Sequence, residues 1–370
     1  MAEKNWRSLI FNFMKNLLAI ILVFAFLRLA GQPPFKVVAY YTGNSETIKK
    51  YPVDKLTHLI YSFLKLSDDH LVFRDDDQRK TVEKLVALKK QYPHLKIMVS
   101  IGGWGGCAPC SNLFASPEHR NNFARSVVAL FQRYHIDGLD LDWEYPAIEG
   151  YPGHAWDKAD RNNFTELVKA LRKEMGSRFL LSFAAGGFVK YLEESIDWQQ
   201  VVPVVDFVNL MTYDLVNGYS PVTGHHTLLY DYRPQQESTR KCVDRLLDKN
   251  VDSHKLIVGA AFYARVWENV DSTDHGLYQS GNFFKGISYR DFANYFNDSS
   301  GYKYFWDDKG SAPFEYNARK KLFATFDDKH SIRAKAEFVR TKNLGGIMFW
   351  ELSQDLPRDG LLEEISKALH

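Results

Sequence analysis

The ten residues DGLDLDWEYP, 137 to 146, set Asp137, Asp140, Asp142 and Glu144 among Leu139, Leu141 and Trp143. The apolar members read as a buried strand. Side chains on a strand alternate between faces, so Asp140, Asp142 and Glu144 share one face while Leu139, Leu141 and Trp143 share the other. Carboxylates stacked a few ångströms apart cannot all ionise, because like charges raise one another's pKa. A group held this way stores a proton near neutral pH, as a general acid must if it is to protonate a leaving group. Three acids in register also carry a desolvation cost that folding alone does not explain, which separates them from polar filler. Asp137 has the wrong parity for that face and is expected to be structural.

Such a ladder needs a scaffold that turns one strand face into a confined space. Apolar runs rich in Val, Ile and aromatics recur at KVVAYY (36–41), THLIYSFL (57–64), LKIMVSIGG (95–103) and IDGLDLDWE (136–144). Four more follow at FLLSFAA (179–185), DFVNLMTYD (206–214), LIVGAAFYA (256–264) and LGGIMFWEL (344–352). Between them lie amphipathic stretches such as QRKTVEKLVALKKQY, HRNNFARSVVALFQRY and DRNNFTELVKALRKEM, with apolar residues three and four apart. Eight strands each followed by a helix or long crossover predict an α/β fold, a parallel (β/α)8 barrel spanning 35–370. Glu144 is then the last inward position of the fourth strand, at the C-terminal mouth where active sites of this fold are built. The spacing breaks after the seventh strand. From Arg265 to about Phe323 an aromatic-rich stretch replaces the expected helix, and about 266–320 reads as a small ordered α+β insertion on the rim.

Composition narrows the partner. The formal charge is only +2, with no Lys/Arg block to track a phosphate backbone, so nucleic acid is not an expected partner. Aromatic content of 15% offers flat apolar faces with polar edges, a surface suited to sugar rings. Lys4, Arg7 and Lys15 precede the apolar run LLAIILVFAFL (17–27), and GQPP breaks the chain at 31–34. Residues 1–34 therefore read as a secretory signal or, since Arg28–Ala30 make a poor cleavage site, as an N-terminal membrane anchor through 9–30. Either reading exports the chain. Cys107 and Cys110 form a single C-x-x-C with no second pair to complete a zinc site, and a local disulfide stiffening the loop fits an oxidising compartment. Cys242, on a helical pattern, reads as a small buried apolar group. His225 and His226 fall in a rim loop without further matching ligands, so loop hydrogen bonding is expected there. No metal and no cofactor is expected.

DGLDLDWEYP resembles the DxxDxDxE signature of the family 18 glycoside hydrolases, the chitinases, and the likeness runs along almost all of 35–370. SIGGW (100–104) resembles the family's SxGG on the third strand, with Ser100, Gly102 and Gly103 as support. LMTYD (210–214) resembles its M-x-Y-D on the sixth strand, FYARVW (262–267) its Y-x-R on the seventh, and GIMFWEL (346–352) its eighth-strand segment ending in Trp. Several ordered matches are far more specific than one short motif.

The resemblance implies hydrolysis of β-1,4 links in chitin or chito-oligosaccharides with retention of configuration, through attack by the substrate's own acetamido oxygen. Glu144 is implied as the acid and then the base. Asp142 would orient the acetamido group, Asp140 would share a proton with Asp142, and Ser100 and Tyr40 would hydrogen-bond that inner pair. Tyr213 would donate to the acetamido carbonyl, with Met211 on the same face and Asp214 contacting the same sugar. Trp350 would stack under the central sugar. Tyr263 and Arg265 share a face of the seventh strand, Arg265 as a sugar ligand, while Tyr40, Phe63, Trp104 and Tyr145 would line the cleft. Two other roles keep much of the machinery: an endo-β-N-acetylglucosaminidase on N-glycan cores, and a non-hydrolytic chitin-binding relative. The second of these usually lacks the terminal Glu of the signature, which is present here.

Overall fold

A computed structural model describes residues 35–369; the expected signal or anchor at 1–34 lies outside the described residues. Fourteen strands are formed among them. They are β1 (Lys36–Tyr41), β2 (His58–Ser67), β3 (His70–Val72), β4 (Lys96–Gly102), β5 (Gly138–Asp142), β6 (Leu180–Gly186) and β7 (Phe207–Met211). The remaining seven are β8 (Leu256–Ala261), β9 (Tyr263–Glu268), β10 (Asn282–Ser288), β11 (Lys303–Asp307), β12 (Ala312–Asn317), β13 (Leu322–Thr325) and β14 (Gly346–Trp350).

Eight of these strands close a parallel barrel. The hydrogen-bonded order is β1, β14, β8, β7, β6, β5, β4, β2, and β1 pairs with β2 to complete the ring. β3 is a short antiparallel addition to β2. The long helices Asp76–Ala87, Pro117–Tyr134, Asp160–Met175, Thr239–Asp248 and Lys329–Thr341 fill the crossovers. Four of these five starts are set by side chains that satisfy free amides of the first turn, the exception being Asp160–Met175. Asp75 accepts from the Gln78 amide at 2.7 Å, and Asp328 forms a capping box with Ser331. The molecule is thus a (β/α)8 barrel with an insertion after its seventh barrel strand.

Alternation divides the core into two shells. Val38, Tyr40, Ile60, Met98, Phe207, Ile257 and Met348 pack together in the lumen. Outward, Leu139 and Leu141 are buried, and Trp143 packs on Phe114 and Phe164 beneath the helices.

The seventh apolar run is not one strand. β8 ends at Ala261, and Phe262 turns the chain, its ring stacked on Phe349 at 4.1 Å. β9 then opens a separate antiparallel sheet of order β10-β9-β13-β12-β11. Tyr263 and Arg265 therefore share a face, as alternation predicts, but on the first strand of the insertion and not on the barrel strand. The uninterrupted apolar character of 256–264 hides this break, because both sides of the chain stay buried through the turn. Trp267, Phe314 and Phe323 form one core of the insertion, and Ala264, Val266 and Phe326 belong to another.

Among the described residues no helix is long and apolar enough to cross a membrane.

Candidate active site

β5 carries the acids into the lumen in register with its neighbours, Ser100 of β4 and Ser182 of β6 lying beside Asp140. Asp140 is fully buried and accepts four hydrogen bonds. Tyr40 Oη (2.8 Å) and Ser100 Oγ (3.0 Å) donate to Oδ2, while Ser182 Oγ (2.6 Å) and Asn209 Nδ2 (3.1 Å) donate to Oδ1. Burial raises this carboxyl, and the four donors pull it back. Two residues on, Asp142 is also buried, yet its Oδ1 has no hydrogen-bond partner. Burial pushes it well above the usual carboxylate range, and the charges of Glu144 and Asp140 push the same way. Ser100 and Tyr40 thus serve Asp140 alone, not the Asp140–Asp142 pair as expected. Their reach ends one step deeper in the lumen.

Glu144 lies two residues past the end of β5 and is partly open to solvent. Its carboxyl is raised to about 7, chiefly by burial and in part by the charge of Asp214, against the pull of the Tyr145 hydroxyl. The loop beside the acids depends on glycine. A Cβ on Gly102, whose φ is +106°, would fall 1.9 Å from the Asp142 carbonyl oxygen, and one on Gly103 would fall 2.4 Å from the Phe63 ring. The Gly103 amide instead donates to that same carbonyl at 2.8 Å. Asp137 stands at the other end of the strand, where Oδ2 accepts from the Ile97 amide at 2.7 Å and Oδ1 from Lys89 at 2.9 Å.

Across the mouth, Tyr213 and Asp214 follow the end of β7. The Tyr213 hydroxyl reaches only the Met348 sulfur at 3.8 Å, a weak acceptor that leaves it free for a ligand. Met211 packs on the same lumen cluster. Asp214, in a left-handed conformation at φ 54°, is held bidentately by Arg265, Nε to Oδ1 at 2.8 Å and Nη2 to Oδ2 at 2.6 Å. His226 Nδ1 lies 3.5 Å from Oδ1 on the other side. Burial alone would raise Asp214, but His226 and Arg265 outweigh it and hold the carboxyl well below the usual range. Arg265, expected as a sugar ligand, therefore spends its fork on Asp214. Tyr263 stands beside this group, its ring 5.1 Å from the Arg265 guanidinium. At the end of β14 Trp350 stacks on Phe63 at 5.7 Å and meets Tyr40 at 5.6 Å.

The rim is aromatic. Trp104, 46% exposed, touches Tyr145, Tyr151 and Tyr219. Behind it a disulfide joins Cys107 to Cys110, while Cys242 is buried and free. His225 and His226 lie in the expected loop, where the His225 backbone exchanges hydrogen bonds with Gln235, but both side chains are fully buried. His225 Nε2 pairs with Asp307 at 3.0 Å. Among the described residues no group of His, Cys, Asp and Glu is arranged to hold a metal ion.

Sequence reasoning missed Ser182, Asn209, Tyr219 and the second role of Arg265. A signal existed for the first two. The single polar residue of FLLSFAA and of the strand FVNLM (207–211), once the strands are set in register, points at a polar partner in the lumen.

A family model described as glycosyl hydrolases family 18 matches residues 36–355. Chitinase A1 of Niallia circulans is 32% identical over 313 residues, which cover 78% of this chain and 44% of that protein. The chain thus spans less than half the length of that relative. Chitinase B of Serratia marcescens is 27% identical over 407 residues, covering 90% of this chain and 82% of that protein. The solved structure of a family 18 N-acetylglucosaminidase from Paenibacillus barengoltzii superposes with a TM-score of 0.82 at 30% identity, covering 90% of this chain and 99% of that one.

Proposed function

The chain belongs to glycosyl hydrolase family 18, and on that premise we propose that it hydrolyses β-1,4 links between N-acetylglucosamine units, in chitin or chito-oligosaccharides, with retention of configuration. One observation carries the reading. Asp142 sits between a fully hydrogen-bonded Asp140 and a solvent-accessible Glu144, buried and with an unpartnered oxygen. A buried carboxyl oxygen without a partner is an acceptor waiting for a donor, and the acetamido N–H of a bound sugar supplies one.

In the proposed reaction Glu144 gives its proton to the glycosidic oxygen as the bond to the anomeric carbon breaks. The acetamido carbonyl oxygen of the same sugar attacks that carbon and closes an oxazolinium ring, so no protein-bound sugar forms. Asp142, turned toward Glu144, holds the acetamido nitrogen, and Tyr213 donates its free hydroxyl to the acetamido oxygen. The Glu144 carboxylate then takes a proton from water, whose oxygen adds to the anomeric carbon and reopens the ring. Two inversions give net retention. Trp350 offers the sugar a stacking face, and Phe63, Trp104 and Tyr145 flank it. Asp140 stays behind as the anchored end of the ladder. The cationic and apolar run of the first 34 residues supports export of the enzyme.

The test is hydrolysis of a soluble chitin hexamer. The folded protein should cleave it, and Glu144→Gln should lower kcat by about 10²–10⁴-fold, the usual worth of a general acid. Absence of cleavage by the wild-type chain, or full activity of the Gln variant, would overturn the proposal.

A further inference from the structure

The loop after β5 presents a ring that the reaction above does not use. Tyr151 is 38% exposed, yet its position is built with some care by two glycines. At Gly150 a Cβ would lie 2.1 Å from the Glu144 carbonyl oxygen, so only glycine lets the loop fold back onto the backbone of the acid itself. At Gly105, φ +86°, an added Cβ would stand 3.2 Å from the Tyr151 ring, which therefore rests against the bare backbone of the loop carrying Trp104. The Tyr151 and Trp104 rings meet edge-on at 5.5 Å.

The loop is tied at both ends. Pro146, Ala147 and Ile148 are buried at its start. At its end buried Asp160 accepts from the Asp157 amide at 2.8 Å, and between them the His154 amide donates to the Tyr151 carbonyl at 3.0 Å. The His154 ring lies 4.7 Å from that of Tyr151 and carries the aromatic surface one step further out. Tyr219 also meets Trp104, at 6.2 Å, whereas three exposed rings on the insertion are differently employed. Phe284 and Tyr295 are covered by the Lys285 ammonium, at 5.1 and 4.2 Å, and Tyr304 donates its hydroxyl to Asp328.

The rings are also continuous with the cleft. Trp350 stacks on Phe63, Phe63 lies against Gly103, and the next residue is Trp104. From there the surface passes to Tyr151. An aromatic face that extends a sugar cleft, neutral and open to solvent, fits the apolar face of another pyranose ring of the same chain.

We propose that Tyr151, seated on Gly105 and backed by His154, forms an additional saccharide subsite beyond Trp104, which engages only substrates long enough to reach it. The inference rests on the chitin-cleaving reading above. Tyr151 touches no reacting atom. Its contribution belongs to binding of the longer chain.

Chain-length dependence tests it. For Tyr151→Ala the KM for a soluble chitin hexamer should rise about 3- to 10-fold, the scale of one aromatic stacking contact, with kcat little changed. The KM for a chromogenic disaccharide glycoside, which ends short of the loop, should not follow. Tyr151→Phe keeps the ring and should restore the hexamer KM. An unchanged hexamer KM in Tyr151→Ala overturns the subsite. So does a parallel rise for both substrates, which would mark a general loosening of the loop. Wild-type cleavage of the hexamer is read separately, so failure of the underlying activity is distinct from failure of the subsite.

Discussion

Asp140 and Asp142 are the same side chain on the same face of one strand, and their surroundings make them chemically different. Four donors converge on Asp140, whereas Asp142 Oδ1 has none. A buried carboxylate without donors is costly to keep charged, and this raises Asp142 well above the usual carboxylate range. Glu144 inherits a carboxyl raised to about 7, chiefly by burial. Catalysis as proposed needs the protonated form, which is present below that value and lost above it. The kcat/KM for the hexamer should therefore fall about tenfold per pH unit above roughly pH 7, with the limb reporting the free enzyme. Asp214→Asn removes a charge that raises Glu144, and the limb should move to lower pH in a kcat/KM profile of that variant.

At the scale of elements, periodicity and caps made most of the helices legible. QRKTVEKLVALKKQY predicted a helix, and the structure starts it at Asp76 because Asp75 caps it and ends it at Ala87. DRNNFTELVKALRKEM is the helix Asp160–Met175 residue for residue. The last helix, Leu361–Leu369, has a less obvious start. Asp355, six residues upstream, accepts from the amides of Leu361 and Leu362, both at 2.9 Å, and from Leu356 at 2.8 Å. Replacing it by Ala removes a cap and leaves three amides to find water. Asp355→Ala should cost about 1–2 kcal/mol, read as a lower denaturation midpoint with an unchanged slope. The break at Phe262 was not legible. Periodicity marks a strand by the contrast between its faces, and a run buried on both faces offers no such contrast.

The barrel, the loop after β7 and the helix Lys329–Thr341 are locked to one another by a buried ion pair. Lys335 and Asp327 are both fully buried, with Nζ 2.6 Å from Oδ2. Lys335 also donates to the Gly259 carbonyl at 3.2 Å, and Asp327 accepts from the Ala261 amide and the Thr227 hydroxyl, both at 2.9 Å. Removing one partner strands the other charge in the core, so Lys335→Met should cost about 3–5 kcal/mol in urea unfolding, and adding Asp327→Asn should recover part of it. Sequence alone determined the barrel, the inward parity of Asp140 and Asp142, and that an insertion follows the seventh barrel strand, though not that its sheet already begins at Tyr263. These follow from local rules: alternation on a strand, 3.6-residue periodicity on a helix, and a fixed mouth for a closed parallel sheet. Only the tertiary structure decided that Asp140 gathers donors from β1, β4, β6 and β7 while Asp142 receives none. It alone committed Arg265 to Asp214, buried both histidines, and brought Tyr151 against Gly105. Each of these joins residues tens of positions apart, and such contacts are set by how the strands and loops pack, which no local pattern encodes.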